Sequence, residues 1–189
     1  MPAKINLSCL RLKAPSYNFF SSSDFGVTSI DLVGFPFSSK VTNVKNALFG
    51  GKLMYWMDMA AGICVYKNTK KMSVTASVDN ISFKSPVYKG DIVTIDAFIT
   101  RVFNTSMEIY LEATTQNRKT GKSIISNNAF FTFVTLDEKG KPTKSIEVIP
   151  KSDEEKKLYD GALRRRQLRL ILAGKMKPEE ADELKSIFD

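Results

Sequence analysis

The segment 50–67, GGKLMYWMDMAAGICVYK, constrains this chain more than any other stretch. Only Lys52 and Asp58 are charged before Lys67, so a helix here is apolar on nearly every face. Such a helix belongs inside a fold rather than on its surface. Four runs rich in Val, Ile, Thr and Phe follow, at 72–83, 92–103, 106–116 and 123–136. Val93, Ile95, Ala97 and Ile99 alternate with polar or outward positions, as do Ile109, Leu111 and Ala113, which is the period of a half-buried strand. Lys89-Gly90-Asp91, Asn104-Thr105, Lys119-Thr120-Gly121 and Lys139-Gly140-Lys141-Pro142 carry turn chemistry. Long strands joined by short turns predict an antiparallel meander. A sheet wrapped around one central helix satisfies both apolar patterns at once, so the expected fold class is α+β.

The flanks read differently. Residues 1–23 contain Lys4, Arg11 and Lys13 and no acid, the composition of an organelle transit peptide. No amphipathic period accompanies it, and the simpler reading is an N-terminal extension, 1–26, of unassigned role. A first strand is expected within 27–37, opening a core domain at 27–150. Ser152-Asp153-Glu154-Glu155 is a capping box that predicts a helix to about Ala173, ended by Gly174. Pro178 predicts the start of a shorter amphipathic helix to Phe188, with Ala181, Leu184 and Ile187 on one side. Residues 151–189 are thus a helical C-terminal region.

The chain contains no histidine, which removes Ser-His-Asp triads, His-paired cysteines and histidine metal sites from what its 189 residues can build. Its two cysteines, Cys9 and Cys64, form neither a disulfide framework nor a CxxC pair, and a reducing compartment follows as the simpler expectation. The net charge of +8 favours anionic partners. No apolar run reaches the ~18 residues that a membrane span requires.

Four features could carry chemistry. Asp58 places a carboxylate in the middle of the apolar helix, where it must be functional or paired with a Lys or Arg, because an unpaired buried charge is costly. Gly50 and Gly51 at the helix start either make a tight turn or present backbone N–H groups to a developing oxyanion, each donor worth ~3 kcal/mol. Arg164, Arg165, Arg166 and Arg169 either bind phosphate or form a solvated face paired with Asp153, Glu154, Glu155 and Asp160. Cys64 has no base beside it and reads as core filler. A nucleic-acid-binding module would rest on the charge and the arginine run, but no interleaved aromatic motif supports it.

At these residues a family resemblance enters. The stretch Asn43-Val44-Lys45-Asn46-Ala47-Leu48-Phe49-Gly50-Gly51-Lys52-Leu53-Met54-Tyr55-Trp56-Met57-Asp58 resembles the helix-leading motif of hotdog-fold acyl-CoA thioesterases, in the acyl-CoA hydrolase branch that includes the brain-type enzyme. Three more blocks agree: 74–79 with Phe83 and Pro86-Val87, 105–109, and 130–134. The tail from Pro150 to Glu155 into an Arg-rich helix is similar too. The resemblance spans about 30–170. Many relatives carry Gly at the position of Asn46.

The resemblance implies a hotdog fold, a homodimer at least and often a trimer of dimers, with active sites across the dimer interface. It implies hydrolysis of fatty acyl-CoA to free acid and CoA without a metal or a separate cofactor, coenzyme A being part of the substrate. Asp58 matches the catalytic carboxylate, acting as general base or as nucleophile. Asn43 matches the polar partner contributed across the interface, and Gly50 and Gly51 would polarise the thioester carbonyl. Val74, Thr75, Ala76, Ser77 and Ser106 are expected walls for pantetheine. On charge alone, Arg164, Arg165 or Arg169 is expected to meet the CoA phosphates. Hotdog dehydratases need a histidine and are excluded. The alternative is a non-catalytic acyl-CoA-binding or regulatory hotdog protein in which Asp58 is only structural. A cytoplasmic location is expected, with organelle targeting by residues 1–23 as the other option.

Overall fold

The computed structural model describes residues 41–187 and, ahead of them, the strands Ile5–Asn6 (β1), Cys9–Ala14 (β2), Phe20–Ser21 (β3) and Gly26–Val33 (β4). The first strand expected at 27–37 is β4; positions 34–37, the targeting reading of 1–23 as a whole, and the helix end at Phe188 lie outside the described residues.

The apolar segment forms helix α1 (Gly50–Thr69), which ends where Lys70 takes a left-handed conformation at φ 56° and donates its N–H to Tyr66 O. Leu53, Met57, Ala60, Ala61, Cys64 and Val65 are buried on one side of it. They pack on the inner face of a sheet, where alternate residues of β6 (Ile92–Val102), β7 (Ser106–Gln116) and β8 (Ser123–Thr135) point inward. Val93, Ile95, Ile109, Leu111 and Phe131 are among these inward side chains and are all but inaccessible to solvent. The expectation of a helix enclosed on every side is met on one side only. Tyr55, Met59 and Tyr66, on the face turned away from the sheet, remain 47–56% exposed in the single chain. The sheet is one layer and covers one side of the helix.

Strands β6, β7 and β8 form the expected meander, in register at Ile95↔Ala113 and Leu111↔Ala129. The fourth expected strand, β5 (Ser73–Phe83), departs from it: β5 pairs with β8 rather than with its sequence neighbour β6, giving the order β3-β2-β4-β6-β7-β8-β5. The connection after Phe83 contains Pro86 and cannot close a tight hairpin. It crosses the start of α1 instead, where Leu48 N donates to Val87 O at 2.8 Å and Ala47 bridges Tyr88. That leaves β5 at the edge, with Val74 50% and Val78 40% exposed.

The capping box is formed as expected. Ser152 Oγ accepts from Glu155 N and Glu155 Oε2 accepts from Ser152 N, opening α2 (Asp153–Leu172), and Gly174 follows at φ +66°. The shorter helix expected from Pro178 is instead a 3-10 turn at Pro178–Glu180 and a single turn, α3 (Asp182–Lys185). Ala181, at φ −97° and ψ 62°, interrupts it, and docking to α2 through Leu184 N and Gln167 Oε1 (2.8 Å) holds the turn in place. Among the described residues no helix is long and apolar enough to cross a membrane.

Candidate active site

The loop ahead of α1 is built around Asn43. Its Oδ1 accepts from Lys45 N (2.9 Å) and Ala47 N (3.2 Å), and its backbone N–H donates to Ala47 O (2.8 Å). This tight turn requires a left-handed residue at Asn46, φ 57°, a conformation open to Gly and Asn. The departure at Asn46 noted above thus keeps a residue type that tolerates the left-handed turn. With Oδ1 occupied, the side-chain NH2 of Asn43 is the group left to act on a ligand. Asn43 lines a cavity of about 280 Å³ together with Gly50, Phe83, Pro86 and Asn127.

Gly50 and Gly51 begin α1 with no side-chain cap, so the first N–H groups of the helix have no intrahelical acceptor. The glycines also answer a packing demand. A Cβ on Gly50 would lie 3.1 Å from the Phe83 ring and one on Gly51 would lie 2.8 Å from the Phe49 ring. Gly50 faces the cavity, whereas Gly51 is exposed and outside its lining.

Asp58 lies two turns further along α1, half-buried rather than enclosed. Its Oδ1 accepts a hydrogen bond from Thr75 Oγ1 at 2.5 Å, and none of the ion pairs among the described residues involves it. The Lys or Arg partner that a structural role would have supplied is thus replaced by a hydroxyl donor on β5. Thr75, expected only as part of a pantetheine wall, is the Asp58 partner that sequence reading missed; a contact across 17 residues between a helix and an edge strand leaves no local pattern. The other expected wall residues lie nearby in the sheet. Ser106 pairs with Val134 and Val134 with Val74, so Ser106 and Val74 occupy one row across β7, β8 and β5. Ala76 and Ser77 follow Thr75 on the exposed edge, next to the register shift between Thr75 and Ser77.

The arginine run is neither a solvated face nor paired with the acids of its own helix. Arg165 makes a two-pronged pair with Glu108, Nε to Oε2 at 3.0 Å and Nη2 to Oε1 at 2.8 Å, and stacks 4.0 Å from the Phe130 ring centre. The Glu108 side chain is only 2% exposed and also accepts from Thr100 Oγ1 at 2.6 Å. Arg169 pairs with Asp79 (3.1 Å) and donates to Thr132 Oγ1. Arg166 lies over the Phe103 ring; burial, with Arg169 nearby, pushes its guanidinium below the usual value. These contacts fix α2 on the outer face of the sheet. Tyr110 sits on that face between Phe98 and Phe130, and burial, reinforced by Glu112, pushes its phenol up to about 12. Arg164 is half-buried on the same helix. Cys64 is core filler, its thiol directed at Ala97 O (3.4 Å).

Comparison with known proteins places this architecture. A model of the thioesterase superfamily matches residues 45–122. The acyl-CoA thioester hydrolase YkhA of Bacillus subtilis, itself uncharacterized, is 36% identical over 66% of this chain and 72% of its own length. The cytosolic acyl coenzyme A thioester hydrolase of Rattus norvegicus is 35% identical over 69% of this chain, which spans 35% of that longer protein. Among solved structures, an apo-hexameric acyl-CoA thioesterase superposes with a TM-score of 0.72 at 33% identity, covering 78% of this chain and 92% of its own. The acyl-CoA hydrolase of Staphylococcus aureus in complex with butyryl coenzyme A gives 0.70 at 31% identity, covering 79% and 91%. That enzyme has also been solved with an Asn, an Asp and a Thr singly replaced by Ala. The chain belongs to the thioesterase superfamily, and its sheet wrapped on α1 is the hotdog fold of that family.

Proposed function

We propose that this chain hydrolyses fatty acyl-CoA to the free acid and CoA, at a site completed by two copies of itself. The observation that carries the reading is the Asp58 carboxylate, half-buried in mid-helix and held by the Thr75 hydroxyl. Residue spacing supports the reading. Asn43, Asp58 and Thr75 are separated by 15 and 17 residues, the separations of the Asn, Asp and Thr replaced in the staphylococcal hydrolase.

Helix geometry supports the two-copy site. Gly50 and Asp58 lie about 12 Å apart along the axis, at ~1.5 Å per residue. A thioester carbonyl held at the helix start is therefore out of reach of Asp58 in the same chain. Two α1 helices laid side by side in opposite directions bring Asp58 of one chain to Gly50 and to Asn43 of the partner subunit. The same arrangement covers the exposed stripe of Tyr55, Met59 and Tyr66 and pairs the open edge of β5. The hexameric thioesterase among the structural neighbours supports assembly as a trimer of such dimers.

In this site the carbonyl oxygen receives the N–H of Gly50, with Gly51 behind it, and the side-chain NH2 of Asn43. Charge develops on that oxygen as the tetrahedral intermediate forms, and each well-placed donor contributes ~3 kcal/mol there. Asp58 takes a proton from water as the water attacks; alternatively its carboxylate attacks the carbonyl carbon and forms an anhydride that water opens. On the first route Asp58 returns that proton to the sulfur as the C–S bond breaks and CoA leaves as the thiol; on the second the C–S bond breaks to release the thiolate of CoA, which takes a proton from solvent. Val74 to Ser77 and Ser106 wall the pantetheine arm. No cofactor is needed, since all groups come from the chain, and the rat cytosolic relative supports a cytoplasmic setting.

The test is free-thiol release from acyl-CoAs of short to long chain by the native protein and by Asp58→Asn. Turnover by the native chain and a fall of about 10²–10⁴ in the variant, with fold and assembly intact, is the expected result. Full activity in the variant would discard the carboxylate mechanism. Binding without turnover by the native chain would establish the non-catalytic alternative.

A further inference from the structure

Resting on the acyl-CoA reading, we propose that Asn127 is a specificity residue that selects acyl groups carrying a hydroxyl. The cavity of about 280 Å³ at the start of α1 is bordered by Asn43 and Gly50 on the helix side and by Asn127 on the sheet. Asn43 and Gly50 hold the thioester carbonyl in the proposed site, and the pantetheine walls at 74–77 and Ser106 do not border this cavity. The half of the substrate that enters it is therefore the acyl group. Leu48, Leu53, Phe83 and Val87 supply the apolar lining that an acyl chain requires.

Asn127 is the anomaly in that lining. On β8 it shares the inward face with Ala129 and Phe131, and it pairs with Ala113 on β7 and Phe83 on β5. It is 1% exposed, and its Oδ1 has no hydrogen-bond partner among the described residues. Ser82 O sets the orientation of the amide, because a carbonyl can only accept; it takes the side-chain NH2 at 3.4 Å and leaves the oxygen turned away. The nearest backbone donors are committed, the N–H groups of Lys84 and Ser85 both going to Ser126 O (2.8 and 3.2 Å). The adjacent Ser126 is equally buried but satisfied, donating to Ala113 O (3.0 Å) and accepting from Thr115 Oγ1 (2.9 Å). Buried acceptors are normally met, so Asn127 Oδ1 marks a place where the ligand supplies the donor.

The donor that fits is a neutral hydroxyl. A plain hydrocarbon chain laid against Oδ1 leaves it unmet, and a site built to hydrogen-bond a hydroxyl discriminates against the analogue that lacks one. An ammonium on the chain would meet the cationic Lys84 at the same wall. A carboxylate has no donor to offer. The acyl groups selected are thus hydroxyacyl chains, with the hydroxyl on the stretch of chain inside the cavity while Asn43 and Gly50 hold the carbonyl.

The experiment measures kcat/KM for an unsubstituted acyl-CoA, at the chain length cleaved best, and for its hydroxyacyl-CoA isomers with the hydroxyl at successive carbons. Thiol release is counted above the enzyme-free rate. For at least one isomer the native chain should favour the hydroxylated substrate roughly tenfold, the worth of one neutral hydrogen bond. Asn127→Leu, which puts an apolar group of similar size in place of the amide, should bring that ratio to about one or below, and Asn127→Ala should bring it to about one. Each ratio compares two substrates on one preparation, so any loss of folded protein cancels. A native preference that both variants retain would overturn the role of Asn127. A native ratio near or below one for every isomer would overturn the selection for a hydroxyl and leave the thioesterase reading standing. Failure of the native chain to cleave any of these thioesters would instead overturn the thioesterase reading, and this inference with it.

Discussion

Asp58 shows how one residue's neighbours mislead about its surroundings. Met57 and Ala61 face the core, but successive helical residues are ~100° apart, so Asp58 reaches the margin of the helix and meets Thr75. The sequence identifies the carboxylate as anomalous; only the fold reveals that a hydroxyl on β5, not a cation, holds it. Thr75 is a positioning residue for that carboxylate. Thr75→Val keeps the shape of the side chain and removes a hydrogen bond to a charged group, a loss of ~1.5–3 kcal/mol. If Asp58 acts only once aimed, kcat falls by roughly 10–100-fold with KM little changed, and Thr75→Ser restores most of it. An equal effect of Val and Ser, or a change in KM alone, would assign Thr75 to the pantetheine wall instead. Asn46 illustrates the opposite case: its local turn demands a left-handed conformation at φ 57°, which Asn tolerates.

The elements divide by how far apart their determinants lie in the chain. Helix α1, the capping box of α2 and the β6–β8 meander were legible because each is written in a local period or a turn signal. The position of β5 was not, since strand order depends on where the chain crosses the helix start and no local period records that. Nor was the purpose of the arginines, whose partners lie 57 and 90 residues away. Helix α2 buries only Gly161 and Ala162, so polar contacts with the sheet carry its docking. Gly161 has no side chain where a Cβ would lie 2.7 Å from Arg165 Nη1, and so leaves room for the guanidinium to reach Glu108. Arg165→Met strands the Glu108 carboxylate in a nearly dry site and should cost about 3–5 kcal/mol in urea unfolding. Adding Glu108→Leu should recover most of that loss, because no charge is then left buried. A single-variant cost under about 1 kcal/mol would mark the pair as an ordinary surface ion pair.

At the scale of the whole molecule, the proposed two-copy site has one chain present half of each of two sites. Asn43 and Gly50 line a cavity at one end of α1 while Asp58 and Thr75 lie two turns along it, and Tyr55, Met59 and Tyr66 are exposed on the face where the proposed second copy would sit. The absence of histidine and the mid-helix carboxylate were enough to narrow the chemistry from sequence. The family resemblance already implied a site across a dimer interface; the structure adds the distance along α1 that separates Asn43 and Gly50 from Asp58. The most direct measurement of this account is complementation. Asn43→Ala and Asp58→Asn chains, each of low activity alone, are co-expressed with different tags and assayed together for thiol release from acyl-CoA. If the site is shared between antiparallel helices, random pairing gives mixed dimers in which one of two sites is intact, and activity returns to about a quarter of the native value. No recovery in verified mixed dimers would place Asn43 and Asp58 in the same chain's site and contradict the account.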